Sequence, residues 1–156
     1  MIGLAFSSYF LSFLISQAPI GFLADRIGVW KVLIVSPALS AVVSLAPFVN
    51  PSFKSTIICM SLLGVTLGST FVQSPAAASE LVPEESRSFY MGILDFIVDL
   101  SFIISPSVMG WVLQRSERTP FLLWSLLSLS SSAIFVLSHL VVLGGDILRR
   151  KSPSWN

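Results

Sequence analysis

The chain has 156 residues, of which 54% are hydrophobic and 11% are charged, and its formal net charge is +1. With a mean hydropathy of +0.86, it carries too few charges to cover a soluble domain of this size, and its near-neutral charge argues against nucleic-acid binding. The composition therefore predicts an integral, multi-pass membrane protein whose immediate partner is the lipid bilayer.

Five apolar segments follow one another along the chain, and each is long enough to cross a hydrocarbon core about 30 Å thick. A membrane span must satisfy its own backbone hydrogen bonds, and the segments lack period-two alternation, so the pattern predicts an all-α fold. We expect one transmembrane helical bundle over residues 1–145 and a short tail over residues 146–156. The five segments cover residues 2–24, 32–53, 55–79, 88–114 and 119–145.

The distribution of Lys and Arg predicts the orientation of the bundle, because cytoplasmic loops carry the excess of basic residues. Six basic residues lie on the side of the first loop and the tail, and three lie on the opposite side. The first loop and the C-terminal tail are therefore expected to be cytoplasmic. The six are Arg26, Lys31, Arg87, Arg149, Arg150 and Lys151, and the three are Lys54, Arg115 and Arg118.

The first loop and its flanks, with the sequence GFLADRIGVWKVL, carry the most specific motif in the chain. The motif resembles the loop signature of the major facilitator superfamily of membrane transporters, Gly-x-Leu-Ala-Asp-Arg-x-Gly followed by a basic cluster and an apolar run. In such a loop, glycines permit close helix approach and unusual turns, and the Asp-Arg pair can interact with neighbouring helix ends. The matching residues are Gly21, Leu23, Ala24, Asp25, Arg26 and Gly28, and Lys31 is what remains of the basic cluster.

Two further stretches extend the resemblance over most of the chain. ELVPEESRSFYMG resembles the loop before the fifth or eleventh helix of the family, and ISPSVMGW resembles the packing element of that next helix, which Pro106 and Gly110 match. The resemblance implies the second to sixth helices of a six-helix half, as a partial half-bundle. Either half of the transporter is compatible with it, and the short basic tail favours the C-terminal one.

By this resemblance the intact protein would move a small solute by alternating access, as a symporter or antiporter, with protons as a candidate coupling ion. The chain would then be a fragment that needs the missing transporter half or further copies of itself, because one half lacks the second repeat around which such transporters rock. The alternative is a truncated, transport-incompetent membrane protein that acts by associating with a partner. We expect no enzyme activity, cofactor or metal site, since Cys59 is alone and no nucleophile motif occurs.

A polar face runs along the third segment, where Thr66, Thr70 and Gln73 are spaced at i, i+4 and i+7. Polar groups inside a bilayer cost free energy unless they face protein or water. Two interpretations are open: these residues line a substrate path, or they form hydrogen bonds between helices. Gly64 and Gly68, on a neighbouring face, form a Gly-x-x-x-Gly pattern that predicts close helix packing.

Asp95 and Asp99 lie one helical turn apart in the fourth segment. At 1.5 Å per residue, Asp99 lies about 18 Å along the helix from Arg87, close to the middle of the membrane. An ionisable group at that depth is a functional candidate, and our hypothesis is a proton relay. The alternative is that Asp95 reaches the cytoplasmic interface while Asp99 pairs with a basic or polar group in the part of the transporter that this chain lacks.

Serines recur along the last segment. The spacing of Ser125, Ser128 and Ser132 predicts small-residue packing against another helix. Trp124, near the start of the same segment, is expected at the outer membrane interface, where aromatic residues serve as anchors.

Overall fold

The computed structural model describes the backbone of residues 2–50, 52–116 and 118–151, and within these residues the chain forms five long helices and no strand. All five are long and apolar enough to cross a membrane, which confirms the predicted all-α class. Residues 152–156 of the predicted tail lie outside the described residues. The helices are α1 (Ile2–Ile27), α2 (Val29–Val49), α3 (Phe53–Leu81), α4 (Arg87–Leu113) and α5 (Thr119–Lys151), with a 3₁₀ turn (Glu84–Ser86) before α4.

The connection between α1 and α2 is a single residue, Gly28. Its φ of 100° and ψ of 137° lie in a region that side chains disfavour strongly, which is why glycine occupies this position. The Gly28 amide still donates to the Ala24 carbonyl oxygen at 2.8 Å. The loop of the family-like motif is therefore very short, and Asp25 and Arg26 lie in the last turn of α1.

α3 lies at the centre of the bundle, because it packs against both α1 and α2, and α2 packs in turn against α5. The buried positions are occupied mainly by small residues such as Ala24, Ser40, Ala41 and Ser44. Small residues let helix backbones approach closely where lipid supplies no hydrophobic drive for association. Large apolar side chains cover the outer surface, as expected for helices that face lipid.

Helices α1 and α3 approach each other closely at Gly64 and Gly68. A Cβ atom on Gly64 would overlap the Tyr9 carbonyl oxygen, and one on Gly68 would lie 2.9 Å from the Phe13 carbonyl oxygen. Both glycines therefore permit direct contact between the two backbones. At Gly21 and Gly110, by contrast, an added Cβ would meet no atom within 4 Å among the described residues.

α4 is only loosely attached to the other helices. Among its residues, all of which the structure describes, Val112 alone is buried. Between α4 and the faces of α2, α3 and α5 lies an open apolar groove of about 540 Å³, with Trp30 and Tyr90 among its lining residues. α4 is thus the helix with most of its surface available to lipid or to further protein.

Candidate functional site

A smaller cavity, with several hydroxyl-bearing residues among its lining, lies where α2, α3 and α5 meet, and we name it the hydroxyl cleft. Its volume is about 220 Å³. Three of its lining residues are apolar, namely Pro37, Leu67 and Leu127. The remaining six carry hydroxyl groups or an indole N–H: Ser40, Thr66, Thr70, Trp124, Ser128 and Ser131.

The cleft lies well inside the membrane-spanning part of the bundle. Ser40 is near the middle of α2, about 16 Å along the helix axis from Val29 and about 14 Å from Val49 at 1.5 Å per residue. Thr66 lies near the middle of α3, which spans Phe53–Leu81. Polar groups at this depth are stable only where protein or water satisfies them.

Hydrogen bonds between α2 and α5 form one wall of the cleft. The Trp124 indole donates from Nε1 to Ser40 Oγ at 2.9 Å, and Ser128 Oγ lies 3.4 Å from the same oxygen. Ser40 is only 4% exposed. This network joins the Trp124 side chain, in the second turn of α5, to α2.

The same interface continues beyond the cleft through two serine hydroxyls of α5. Ser125 donates to the Ala41 carbonyl oxygen and Ser132 to the Ile34 carbonyl oxygen, each at 2.9 Å. These contacts confirm that the serine spacing of the last segment serves helix packing. The hydroxyl groups bind the backbone of α2 directly, so its carbonyl oxygens accept hydrogen bonds in addition to those of the helix.

The wall formed by α3 contains two of the three residues of the predicted polar face. Thr66 donates from Oγ1 to the Leu63 carbonyl oxygen, and Thr70 donates to the Thr66 carbonyl oxygen, each at 3.1 Å. Their hydroxyl protons are therefore used within α3, while their oxygens keep lone pairs that can accept hydrogen bonds. Gln73 is 3% exposed and does not line the cleft.

The charged residues of the first loop lie away from the cleft. Asp25, Arg26 and Lys31 are exposed, and the Arg26 guanidinium stacks 4.3 Å from the centre of the Phe22 ring. Their position at the α1–α2 connection leaves them free to meet solvent, lipid headgroups or another part of the protein.

Asp95 and Asp99 also lie outside the cleft. Both are exposed on α4, the helix that is least buried by the rest of the chain. Pro106 is likewise exposed on α4. The structure therefore separates two groups of candidate residues: the hydroxyls of α2, α3 and α5 inside the bundle, and the carboxylates on the outward surface of α4.

Sequence reasoning missed Ser40, Ser131 and the inward orientation of the Trp124 indole. A signal for the first was present, since Ser36, Ser40 and Ser44 recur every four residues along α2 and all three are buried. A spacing of this kind marks one helix face. It does not reveal that α5 is the helix against which that face packs.

Comparison with known proteins relates the whole chain to one family. The sequence profile of the Major Facilitator Superfamily matches residues 1–153. An uncharacterized MFS-type transporter of Mycobacterium tuberculosis (strain ATCC 25618 / H37Rv) is 28% identical over 120 residues, which make up 77% of this chain and 17% of that protein. Another, from Methanocaldococcus jannaschii, is 27% identical over 118 residues, or 76% of this chain and 30% of that protein. The chain thus spans less than a third of the length of these relatives.

Proposed function

The chain belongs to the major facilitator superfamily, and from this we propose that it forms part of a transporter that moves a small solute across a membrane by alternating access. The relatives named as transporters are several times longer than the aligned region. Alternating access requires two bundles that rock around a common site. We therefore expect the five helices to work with further helices, either from the rest of a longer protein or from another copy of the chain.

The hydroxyl cleft is the observation that carries this proposal. It brings hydroxyl groups of three helices together near mid-depth, and transporters of this kind hold their solutes near the midplane. Thr66 and Thr70 then serve as part of the substrate path, and Ser40, Trp124 and Ser131 complete it. Interhelical hydrogen bonding accounts for Ser125 and Ser132, which bond to α2 outside the cleft, but not for the open volume between the helices.

Access of water to the cleft tests the proposal. Cys59 is the one cysteine of the chain, so a Cys59→Ala background lets a single new thiol report on its surroundings. Leu67→Cys places that thiol in the cleft wall without removing a hydroxyl, and Leu126→Cys places it on the lipid-facing side of α5, where Leu126 is 58% exposed. Because only the thiolate reacts, and it forms only in water, we expect N-ethylmaleimide to label Cys at 67 at least tenfold faster than Cys at 126. Equal, slow labelling at both positions would mean that no aqueous path reaches the cleft.

We propose further that Asp95 and Asp99 act as a proton relay, by which the transporter couples solute movement to a proton gradient. Two carboxylates one turn apart and exposed on a membrane-spanning helix are costly unless a partner or water meets them. The loose attachment of α4 favours a location where this helix faces other parts of the transporter.

The relay predicts that Asp99→Asn abolishes the stimulation of uptake by a pH gradient in membranes of cells that express the complete gene. Ser101→Ala, on the same helix and also exposed, is the matched control and should leave the stimulation unchanged. Full stimulation in Asp99→Asn would rule out a coupling role for this carboxylate.

A second candidate function is supported by the same exposed surface of α4. A chain of this length could act by docking α4 on a partner membrane protein without transporting anything itself. In that case the chain would be recovered with a different polypeptide after crosslinking in native membranes, and N-ethylmaleimide would not reach Cys at 67.

A further inference from the structure

Another groove lies between α1 and α2, with α3 as its floor, and we name it the Lys31 groove. Both α1 and α2 pack closely against α3 but make little contact with each other, so a space of about 480 Å³ remains between them. Large, exposed apolar side chains form its rim, and the groove is therefore open to the lipid. The rim residues are Leu23, Ile27, Val35 and Leu39.

The α3 floor of the Lys31 groove offers almost no free hydrogen-bond donors. Thr66 and Ser69 line it, but their hydroxyl groups donate to the carbonyl oxygens of Leu63 and Val65, at 3.1 Å and 2.7 Å. A water molecule is stable inside a membrane protein only where it finds several polar partners. Hydrocarbon is therefore the content that suits most of this surface.

The length of the groove matches one leaflet of a bilayer. Lys31 lies in the first turn of α2, beside the connection to α1, and Leu39 lies eight residues further along. At 1.5 Å per residue the two are about 12 Å apart along the helix axis, close to half of a hydrocarbon core that is about 30 Å thick. The groove can thus hold an acyl chain of a lipid whose headgroup lies at the α1–α2 connection.

A positive charge stands at the surface end of the groove. Among the described residues that line it, Lys31 is the only charged one, and its side chain is exposed. Asp25 and Arg26 lie at the same connection but do not line the groove, and the Arg26 guanidinium stacks on the Phe22 ring. A lysine ammonium is a compact point charge that binds phosphate, so this end of the groove complements a negatively charged headgroup.

Ser36 supplies a hydroxyl group below this charge. It lines the groove and is only 6% exposed, yet its side chain forms no hydrogen bond within the part of the chain that the structure describes. Buried polar groups are generally paired, which points to a partner from outside the chain. Ser36 lies about 8 Å along α2 from Lys31, on the side where the ester carbonyl oxygens of a glycerolipid follow its phosphate.

We propose that the Lys31 groove binds an anionic glycerophospholipid. Its phosphate contacts the Lys31 ammonium group, an ester carbonyl oxygen accepts a hydrogen bond from Ser36, and one acyl chain lies between α1 and α2. The distribution of Lys and Arg predicts that this end of the bundle is cytoplasmic, and the cytoplasmic leaflet is the one that carries anionic lipids. The inference goes beyond the proposed function, because it holds whichever solute the transporter moves.

Photocrosslinking tests the inference. The protein expressed from the complete gene, with Leu39 replaced by p-benzoyl-phenylalanine, is reconstituted in vesicles of equal parts phosphatidylglycerol and phosphatidylcholine, and mass spectrometry identifies the lipid attached after illumination. The control carries the same residue in place of Leu126, which is exposed on α5. Because the adjacent Ser125 bonds to Ala41, the two reporters lie at a similar depth. One lysine near an anionic surface should raise the ratio of phosphatidylglycerol to phosphatidylcholine about fivefold at position 39 relative to position 126.

Variants at the groove identify the binding groups. Lys31→Gln should reduce the ratio at position 39 to that at position 126, and Lys31→Arg, which keeps the charge, should preserve it. Arg26→Gln removes an equal charge from the same connection and should leave most of the excess. Ser36→Ala should lower the yield of both lipids at position 39, because both carry ester groups.

Three results would overturn the inference. The first is an equal ratio of the two lipids at both reporter positions. The second is an excess of phosphatidylglycerol that survives Lys31→Gln. The third is crosslinking from position 39 to protein instead of lipid, because a further helix would then cover the groove.

Discussion

At the scale of single residues, Gly64 and Gly68 decide how closely α1 and α3 approach. The atoms that a Cβ would meet at these positions include the carbonyl oxygens of Tyr9 and Phe13. These are backbone atoms, so they cannot rotate away as the end of a flexible side chain could. Glycine lowers helix propensity at both sites, and the direct backbone contact that it permits offsets this cost.

Gly64→Ala should therefore destabilise the protein by about 1–3 kcal/mol, the usual cost of forcing an extra carbon into a packed contact. The free energy of unfolding is measured in detergent by a denaturant titration. Gly110→Ala is the control, because a Cβ there meets no described atom within 4 Å, and alanine is the better helix former. A neutral result for both substitutions would contradict the close contact between α1 and α3.

At the scale of elements, side-chain hydrogen bonds cross the interface between α2 and α5. Ser125 and Ser132 donate to the backbone of α2, and Trp124 donates to the Ser40 hydroxyl. Such bonds contribute about 0.6 kcal/mol each on average within a membrane. Together these hydrogen bonds hold α5 in one register against α2, and that register places Trp124 and Ser131 in the cleft.

Ser125→Ala should lower the free energy of unfolding by about 0.6 kcal/mol, and at most by about 1.7 kcal/mol. Ser130→Ala should have no effect, because the Ser130 hydroxyl bonds only within its own helix. In a double-mutant cycle, the variant that combines Trp124→Phe and Ser40→Ala should be destabilised by less than the sum of the two single variants. Additive effects of these two substitutions would show that the indole hydrogen bond does not hold the helices together.

At the scale of the whole molecule, the helical architecture could be predicted from the sequence because the bilayer imposes it. Apolar runs long enough to cross the hydrocarbon core leave few options other than helices. The glycine at the first turn was equally predictable, since the positive φ of Gly28 is a requirement that few other residues meet.

The cleft could be predicted only in part. Helical spacing places Thr66 and Thr70 on one face. Gln73 follows Thr66 by seven residues, a step that falls about 20° short of two full turns. Gln73 therefore lies on the opposite side of Thr66 from Thr70. This offset is consistent with the burial of Gln73 away from the cleft. The contribution of Ser40 and Trp124 depends on which helices become neighbours, and spacing along one helix does not contain that information.

The central claim is that this chain works as part of a larger membrane transporter, and the most direct test is the size of the native protein. An antibody against the tail sequence RRKSPSWN would be used to probe membranes on denaturing gels, with and without chemical crosslinking. We predict a species at least twice the 16.9 kDa of this chain, either as a single polypeptide or as a crosslinked oligomer of the chain. A band at 16.9 kDa that crosslinking leaves unchanged would contradict the claim, because five helices alone lack the second bundle that alternating access requires.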